Sequence, residues 1–240
     1  MTLKQRIGRW VHAHLPVSRR TFDVNRREFG FFRQRLYNTI LPWRSARISR
    51  LRSLRDVSLN VGSGGRGLPD WVNLDASPNH ADIYCTHDLR RPLPFADGAV
   101  RRILAEHVME HVDFYDDVPR ILRDFHRVLA PGGVARIIVP DAGRYLQAYA
   151  GADQGPWREL GLDRDRMPGG MLTPMEMINH VFHQGGEHLF GWDFPTMDLA
   201  LRRAGFSQAV HQSYGVSVDP IVALDQPNHA PYSLYVDAIK

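Results

Sequence analysis

The stretch Val57-Ser58-Leu59-Asn60-Val61 followed by Gly62-Ser63-Gly64-Gly65-Arg66-Gly67 decides the fold of this chain. A short apolar strand that runs into a glycine-rich turn is typical of the first strand and ligand-binding loop of an α/β protein. Further strand-like runs follow at 71–75, 81–85, 99–106, 134–140, 209–214 and 233–240. Apolar residues at helical spacing predict a helix from Val118, ended by Pro131-Gly132-Gly133, and a second helix between Asp193 and Gly205. Strands that alternate with helices predict a three-layer α/β fold with its ligand at the carboxyl ends of the strands.

Length and composition set the broad class of the protein. The chain has 240 residues, 43% of them hydrophobic and 23% charged, which is enough for one sizeable core. No run reaches the roughly 18 apolar residues of a membrane-spanning helix, and the start MTLKQRIGRW lacks the apolar region of a secretory signal. The lone cysteine, Cys85, excludes a disulfide framework and a multi-cysteine zinc site. We therefore expect a cytoplasmic protein.

Charge divides the chain into two parts. Residues 1–55 contain 14 Lys and Arg against 2 Asp and Glu, whereas residues 56–240 contain 16 against 24. The pattern predicts a basic helical N-terminal extension over 1–55, with helices at 3–15, 22–40 and 47–55, and a separate domain over 56–240. The apolar stripe of the extension favours packing on the domain. Peripheral contact with the anionic inner surface of a membrane is the second interpretation, and an electrostatic arm for RNA is the third.

The glycine loop formally matches the G-x-G-x-x-G pattern of dinucleotide sites. Such sites need a helix N-terminus for the pyrophosphate and an acidic residue about 20 positions further on. Here Asp75 follows Gly62 by only 13 positions, and the ten residues between Val61 and Val72 include Pro69 and leave little room for a helix. An NAD-dependent oxidoreductase is therefore disfavoured. A cationic cofactor without phosphate, S-adenosylmethionine, fits the loop better.

Two aspartates at strand ends complete this predicted cofactor site. Asp75 follows the second strand and can accept hydrogen bonds from the two ribose hydroxyls. Asp88 follows the third strand and can accept from the adenine amino group, while the backbone N–H of Leu89 serves a ring nitrogen. Each aspartate could instead cap a turn, but glycine loop, Asp75 and Asp88 occur in the order that a nucleoside site requires.

Five segments then carry a family resemblance: LNVGSGG (59–65), WVNLD (71–75), HDLRRPLPF (87–95), ILAEHVMEHV (103–112) and RVLAPGGVARIIVPD (127–141). Together they resemble the small class I S-adenosylmethionine-dependent methyltransferases, above all those with a shortened first crossover found among glycan and secondary-metabolite tailoring enzymes. The resemblance implies a Rossmann-like, mostly parallel seven-stranded sheet closed by an antiparallel C-terminal hairpin. The cofactor-binding positions are then Asn60, Gly62, Ser63, Gly64, Gly65, Asp75, Ala76, Asp88, Leu89, Glu106 and His107. Val100-Arg101 departs from the Phe-Asp that many relatives carry at the start of the fourth strand.

The residues after the fourth strand are the candidates for catalysis. Methyl transfer from a sulfonium needs alignment in a dry site, and a base only where the acceptor holds its proton tightly, as a sugar hydroxyl does. His107 is the first candidate base, with a pocket-shaping role as the equal alternative. Asp141, His183 and His188 are the further catalytic candidates. Glu110 and His111 are expected to orient the turn.

The long connection at 142–192 is predicted to form a substrate lid. Within it, Thr173 and Glu176 have the spacing of a helix-capping box. His180, His183, Glu187 and His188 lie within nine positions and could be read as metal ligands. They match no zinc-protease pattern, and Gly185-Gly186 breaks any helical register, so we expect polar pocket-lining residues and no metal.

The acceptor is expected to be a hydroxyl of a sugar, a glycolipid or a small metabolite. Nucleic acid is disfavoured, because Ala105-Glu106-His107-Val108 stands where amine-directed base methyltransferases carry an Asn/Asp-Pro-Pro-aromatic motif. Cys85 also lies on the wrong strand to be the nucleophile of a pyrimidine methyltransferase. The alternative to an enzyme is a catalytically silent S-adenosylmethionine-binding module that acts as partner of another enzyme.

Overall fold

A computed structural model describes residues 18–77, 82–151, 153–163 and 168–240. The helix predicted over 3–15 lies outside these residues. The chain forms two compact units, one ending at residue 45 and one spanning 46–240. None of the helices in the described ranges is both long and apolar enough to span a bilayer.

The first unit is built around helix α1 (Arg19–Ile40). The Ser18 hydroxyl caps it by accepting a hydrogen bond from the Thr21 N–H at 3.1 Å. Leu41, the residue before Pro42, has an extended backbone, as the proline ring requires, and so the helix ends there. A new helix, α2 (Pro42–Ser53), begins at once. The two predicted helices are thus confirmed, although the second begins at Pro42 and not near Ile48.

The second unit contains a seven-stranded sheet in the order β3-β2-β1-β4-β5-β7-β6. Its strands are β1 (Val57–Val61), β2 (Val72–Asp75), β3 (Cys85–Thr86), β4 (Val100–Glu106), β5 (Leu129–Pro140), β6 (Gln208–Gln212) and β7 (Ser233–Ile239). The first five pair in parallel, whereas β7 runs antiparallel between β5 and β6. This is the α/β sheet with a C-terminal antiparallel hairpin that the sequence predicted.

The helices of this unit follow the sheet strands in the chain. They are α3 (Val118–Val128), α4 (Ala142–Ala150), α5 (Gly155–Glu159), α6 (Pro174–His183) and α7 (Phe194–Ala204). The buried face of α3, with Ile121, Leu122 and Phe125, packs with residues of α7 in the main apolar cluster beneath the sheet. Leu51 near the end of α2 is fully buried in that same cluster.

The opposite face of the sheet has a different cover. Leu104, Ile138 and Tyr235 point to that face, and Leu68, Trp71, Val222 and Leu224 lie against them. These four covering residues come from turns and a 3-10 segment. The third layer over this part of the sheet is therefore made of connections, because the first crossover is too short for a helix.

The short crossover between β1 and β2 is held by two asparagines. Asn73 accepts a hydrogen bond from the Leu68 N–H at 2.9 Å and donates to the Leu68 carbonyl at 3.0 Å. Asn60 donates to Asn73 Oδ1 at 2.9 Å and to the Arg66 carbonyl at 3.0 Å. Residues 62–71 contain no helix, which confirms the prediction from their number.

Two strands differ from the sequence prediction in length. β3 has two residues in place of the predicted five, because it pairs only with the short β2 along one side. β5 begins at Leu129, five residues before its predicted start. Pro131-Gly132-Gly133 therefore lies inside β5, and α3 ends earlier, at Val128.

Helices α4, α5 and α6 share a small apolar core of their own. It is formed mainly by Tyr145, Ala148, Trp157, Leu160, Met177, Ile178 and Val181. Thr173 caps α6 with the predicted reciprocal capping box, in which Glu176 accepts from the Thr173 N–H at 2.8 Å. The segment predicted as a lid over 142–192 thus carries a packed cluster separate from the main core.

Candidate active site

The glycine loop lies at the carboxyl end of β1. Gly62 has a φ of +64°, and a Cβ there would lie 2.2 Å from Val108 Cγ2, so only glycine fits. Gly64 also has a positive φ, and a Cβ built on it would meet nothing within 4 Å. The hydroxyl of Ser63 is buried without a hydrogen-bond partner in the described residues. The loop therefore presents open space beside an unsatisfied polar group.

Asp75 stands beside this loop at the end of β2. Its Oδ2 accepts a hydrogen bond from the Gly64 N–H at 2.9 Å, and its Oδ1 accepts from the Ser77 N–H at 2.6 Å. Each carboxylate oxygen has a second lone pair that can accept from a hydroxyl. Ala76 follows directly and is partly buried.

Asp88, after β3, has a cationic partner that the sequence analysis missed. Its side chain is 7% exposed, and Oδ1 and Oδ2 accept from Arg90 Nε and Nη2 at 3.0 and 3.1 Å. An adenine amino group would have to share this carboxylate with Arg90. Leu89, which lies between them, is partly buried against the main core.

The residues of the loop and of β2 fit S-adenosylmethionine. The unpartnered Ser63 hydroxyl, the space over Gly64 and the half-buried Asp75 carboxylate are contiguous through the hydrogen bond between Asp75 and Gly64. Gly65 is exposed at the tip of the loop. These groups would hold the ribose and the backbone of the methionine portion, and the cofactor would supply the methyl group on its sulfonium.

Two other predicted cofactor residues are engaged by the protein itself. The side-chain amide of Asn60 holds the loop, as described above. The carboxylate of Glu106 accepts from Gln226 N, His229 Nδ1 and Arg66 Nη1, each at 2.9 Å. Burial raises the pKa of Glu106, but the hydrogen bonds from His229 and Gln226 outweigh burial and bring that pKa below its ordinary value. Glu106 thus anchors the segment around Gln226 over the end of β4.

His107 is held at the end of β4 with a positive φ of 53°. Its backbone N–H donates to the Ile138 carbonyl at 2.8 Å. In the side chain, Nε2 lies 2.9 Å from Ser233 Oγ, and Nδ1 lies 3.1 Å from Glu110 Oε1. The ring centroid of His229 is 4.0 Å from that of His107. Both imidazole nitrogens of His107 therefore face polar oxygens, one of them a carboxylate.

His107 lines a cavity of about 420 Å³, here named the acceptor cavity. The lining of this cavity includes His107, Glu110, His111, Tyr145, Met177, His180, Val181, His188, His229 and Tyr232. Burial raises the pKa of both Tyr145 and Tyr232, so their hydroxyls stay protonated and can donate hydrogen bonds. His107, directly after β4, and residues of the predicted lid thus line one polar pocket.

The other candidate bases are distributed differently. His188 lines the acceptor cavity, whereas Asp141 lines a separate cavity of about 590 Å³ with Arg144 and His211. Asp141 also caps α4 by accepting from the Arg144 N–H at 3.1 Å, and burial raises its pKa. His183 is exposed at the end of α6 and lines neither of these two cavities. The structure thus brings His107 and His188 to one cavity, whereas Asp141 and His183 do not line that cavity.

Glu110, His111 and His188 form a cluster on the wall of the acceptor cavity, and their ligand-type atoms all lie within 4.8 Å of one another. A backbone hydrogen bond of 2.7 Å from Leu189 N to the Glu110 carbonyl joins the two segments that supply them. Burial lowers the pKa of His188, so its ring is favoured in the neutral form. Sequence reasoning gave Glu110 and His111 only a role in the turn, because their neighbour His188 is far away in the chain.

Residues 70–137 match a family model described as a methyltransferase domain. No curated protein matches the chain. Among solved structures, an S-adenosylmethionine-dependent methyltransferase from Archaeoglobus fulgidus is 14% identical, with 89% of this chain and 94% of that chain covered and a TM-score of 0.45.

Two further solved structures are similar at the same level. One from Mesorhizobium loti is 17% identical, with 82% of this chain and 97% of that chain covered and a TM-score of 0.46. A possible histamine N-methyltransferase from Thermotoga maritima is 15% identical, with 86% and 97% covered and a TM-score of 0.47. All three TM-scores are below 0.5, so the assignment rests on the family model together with the strand order. Residues 70–137 of this chain are therefore assigned as a methyltransferase domain, whose cofactor is S-adenosylmethionine.

Proposed function

We propose that this protein transfers the methyl group of S-adenosylmethionine to a hydroxyl of a sugar, a glycolipid or a small polar metabolite bound in the acceptor cavity. The position of His107 carries the proposal. His107 directly follows β4, the strand that pairs with β1, and it lines the acceptor cavity. Its Nδ1 lies 3.1 Å from Glu110 Oε1. A hydroxyl acceptor needs such a base, because its own pKa is far above neutral.

The reaction is a single in-line displacement. The bond from the acceptor oxygen to the methyl carbon forms as the bond from that carbon to sulfur breaks, and the sulfonium becomes a neutral thioether. The proton of the acceptor hydroxyl passes to the imidazole of His107, whose Nε2 lies 2.9 Å from Ser233 Oγ. The nearby carboxylate of Glu110 stabilises the imidazolium that results.

The lining of the acceptor cavity supports a polar acceptor. A cavity of about 420 Å³ lies within the usual range of small-molecule sites. Five histidines and two tyrosines line it, together with a few apolar side chains such as Met177 and Val181. Rings and donors of this kind match the flat apolar faces and the hydroxyl edges of a sugar.

The decisive test measures methyl transfer and cofactor binding separately. Release of S-adenosylhomocysteine is followed over a panel of monosaccharides, nucleotide sugars, glycolipids and phenols. His107→Gln is expected to lower turnover by about 10²–10⁴-fold, the usual contribution of a positioned base. Its affinity for S-adenosylmethionine by calorimetry is expected to change little, because the cofactor loop keeps its contacts.

Two results would contradict this function. Full turnover in His107→Gln would remove His107 as the base. Tight binding of S-adenosylmethionine with no methyl release on any acceptor of the panel would favour a silent binding module. His183→Gln, at an exposed position outside the acceptor cavity, is the matched histidine variant and is expected to keep the turnover of the parent.

Besides methyl transfer, we propose that the N-terminal extension makes peripheral contact with an anionic membrane surface. Along α1, Phe29, Phe32, Leu36 and Ile40 recur at helical spacing and are each at least 43% exposed. The same helix contains six arginines against two acidic residues. An exposed apolar stripe flanked by arginines is the pattern of helices that lie in the headgroup region of anionic bilayers.

A further inference from the structure

We propose that Glu110, His111 and His188 form a binding site for a divalent transition metal ion that opens onto the acceptor cavity. The inference stands on the geometry of these three side chains and does not depend on which acceptor is methylated. It departs from the expectation drawn from the sequence, which considered a different set, His180, His183, Glu187 and His188, and favoured no metal.

The donor set is the first argument. Two imidazoles and one carboxylate suit Zn²⁺, Mn²⁺, Fe²⁺ or Co²⁺. Their candidate ligand atoms lie within 4.8 Å of one another. Metal–ligand bonds of roughly 2.0–2.2 Å would hold the same atoms about 3–4 Å apart, so small side-chain rotations would bring them to one ion.

The orientation of the two histidines is the second argument. His188 Nδ1 lies 2.6 Å from the Val181 carbonyl, and His111 Nδ1 lies 3.0 Å from the Glu187 carbonyl. A carbonyl oxygen can only accept, so in both rings Nδ1 carries the hydrogen and the lone pair is on Nε2. A backbone carbonyl that fixes one imidazole nitrogen while the other ligates is the usual outer shell of a metal-binding histidine.

Glu110 supplies the third argument. Its side chain is only 1% exposed, and neither carboxylate oxygen has a hydrogen bond from a described residue. Two imidazole nitrogens approach its Oε1, His107 Nδ1 at 3.1 Å and His111 Nε2 at 3.9 Å. A buried carboxylate without hydrogen bonds is costly, and a bound cation removes that cost.

The place of the cluster indicates a catalytic kind of site. All three residues line the acceptor cavity, so an ion held by them would keep open positions toward the substrate. Three protein ligands with an open position are typical of catalytic zinc, whereas structural zinc has four. An acceptor hydroxyl bound there would have a lowered pKa and would lose its proton more readily. Because a carboxylate has two oxygens, Glu110 can ligate and still stabilise His107.

The test uses the full chain, freed of metal with a chelator, and Zn²⁺, Mn²⁺ or Co²⁺ salts as the probes. Calorimetry with each ion alone is expected to give one ion per chain for at least one of them. Co²⁺ is expected to give visible absorption bands of a site with nitrogen ligands. His188→Gln, His111→Gln and Glu110→Gln should each weaken binding at least tenfold, since loss of an outer-shell partner alone costs 10–100-fold.

His180→Gln is the matched control, because His180 lines the same cavity but lies outside the cluster. It should bind the ion as the parent does. Absence of stoichiometric binding of any of the three ions would overturn the proposal, as would equal weakening in His180→Gln or unchanged binding in the cluster variants. Should His188→Gln fail to fold, Glu110→Gln still decides, because it removes a buried charge without changing shape. No readout involves cofactor or acceptor, so failure here is distinct from failure of the proposed methyl transfer.

Discussion

Asp75→Asn tests the predicted ribose contact at the level of single atoms. In the structure, each carboxylate oxygen of Asp75 accepts from a different backbone N–H, Gly64 at 2.9 Å and Ser77 at 2.6 Å. An asparagine has one oxygen and one NH₂ group, so one of these two N–H groups would face another donor. The substitution therefore removes an acceptor for the ribose and also disturbs the glycine loop.

The magnitude follows from hydrogen bonds to a charged acceptor. Loss of one such partner leaves a buried polar group unsatisfied at a cost of about 1–3 kcal/mol, which is about a 5- to 150-fold loss of affinity for S-adenosylmethionine. Calorimetric titration with the cofactor measures the loss, and thermal unfolding without cofactor measures the separate effect on the loop.

Asp70→Asn is the matched control for this variant. Asp70 lies in the same crossover, is exposed, and has a φ of +62° that asparagine tolerates equally well. Its cofactor affinity should equal that of the parent chain. If Asp75→Asn binds S-adenosylmethionine as tightly as Asp70→Asn does, then Asp75 does not hold the ribose and the predicted site is wrong.

Two further predictions concern the buried charge under the sheet and the N-terminal helix. Arg136 is fully buried, with Nη2 2.5 Å from Asp225 Oδ2 and Nη1 2.9 Å from Asp237 Oδ1. Because Arg136→Met leaves both carboxylates without their cation, it should lower the free energy of unfolding by about 3–5 kcal/mol in urea denaturation. An unchanged urea midpoint would contradict this. Phe29→Ser combined with Phe32→Ser should reduce sedimentation of the protein with vesicles rich in phosphatidylserine, while vesicles of phosphatidylcholine should bind neither protein. Equal sedimentation of parent and variant would exclude α1 as the membrane contact.

Burial works against the charge of Arg136, but the hydrogen bonds and charges of its two aspartates outweigh burial and raise its pKa. The Arg136 guanidinium therefore stays charged at ordinary pH, next to both carboxylates. Arg202→Met is the control, since its partner Asp198 and its own side chain lie at the surface, and it should leave the urea midpoint almost unchanged.

Local patterns determined much of the fold. The apolar residues of α3, the glycines after β1 and the caps Thr173 and Asp193 act through neighbours within a few positions, so periodicity and capping rules located them correctly. The lengths of β3 and β5 were wrong for a different reason. A strand extends as far as its neighbour pairs with it, and that neighbour is distant in sequence.

The candidate site divides in the same way. By itself the sequence determined the glycine loop and the aspartate beside it, because Gly62, Gly64 and Asp75 lie within fourteen consecutive positions and the number of residues between the strands excludes a helix. Only the tertiary structure decided what surrounds His107. Ser233 is 126 positions away, and His111 meets the carbonyl of Glu187 across 76 positions. No local rule connects groups so far apart; the parallel sheet does, because it brings the carboxyl ends of its strands, and the loops that follow them, to one edge.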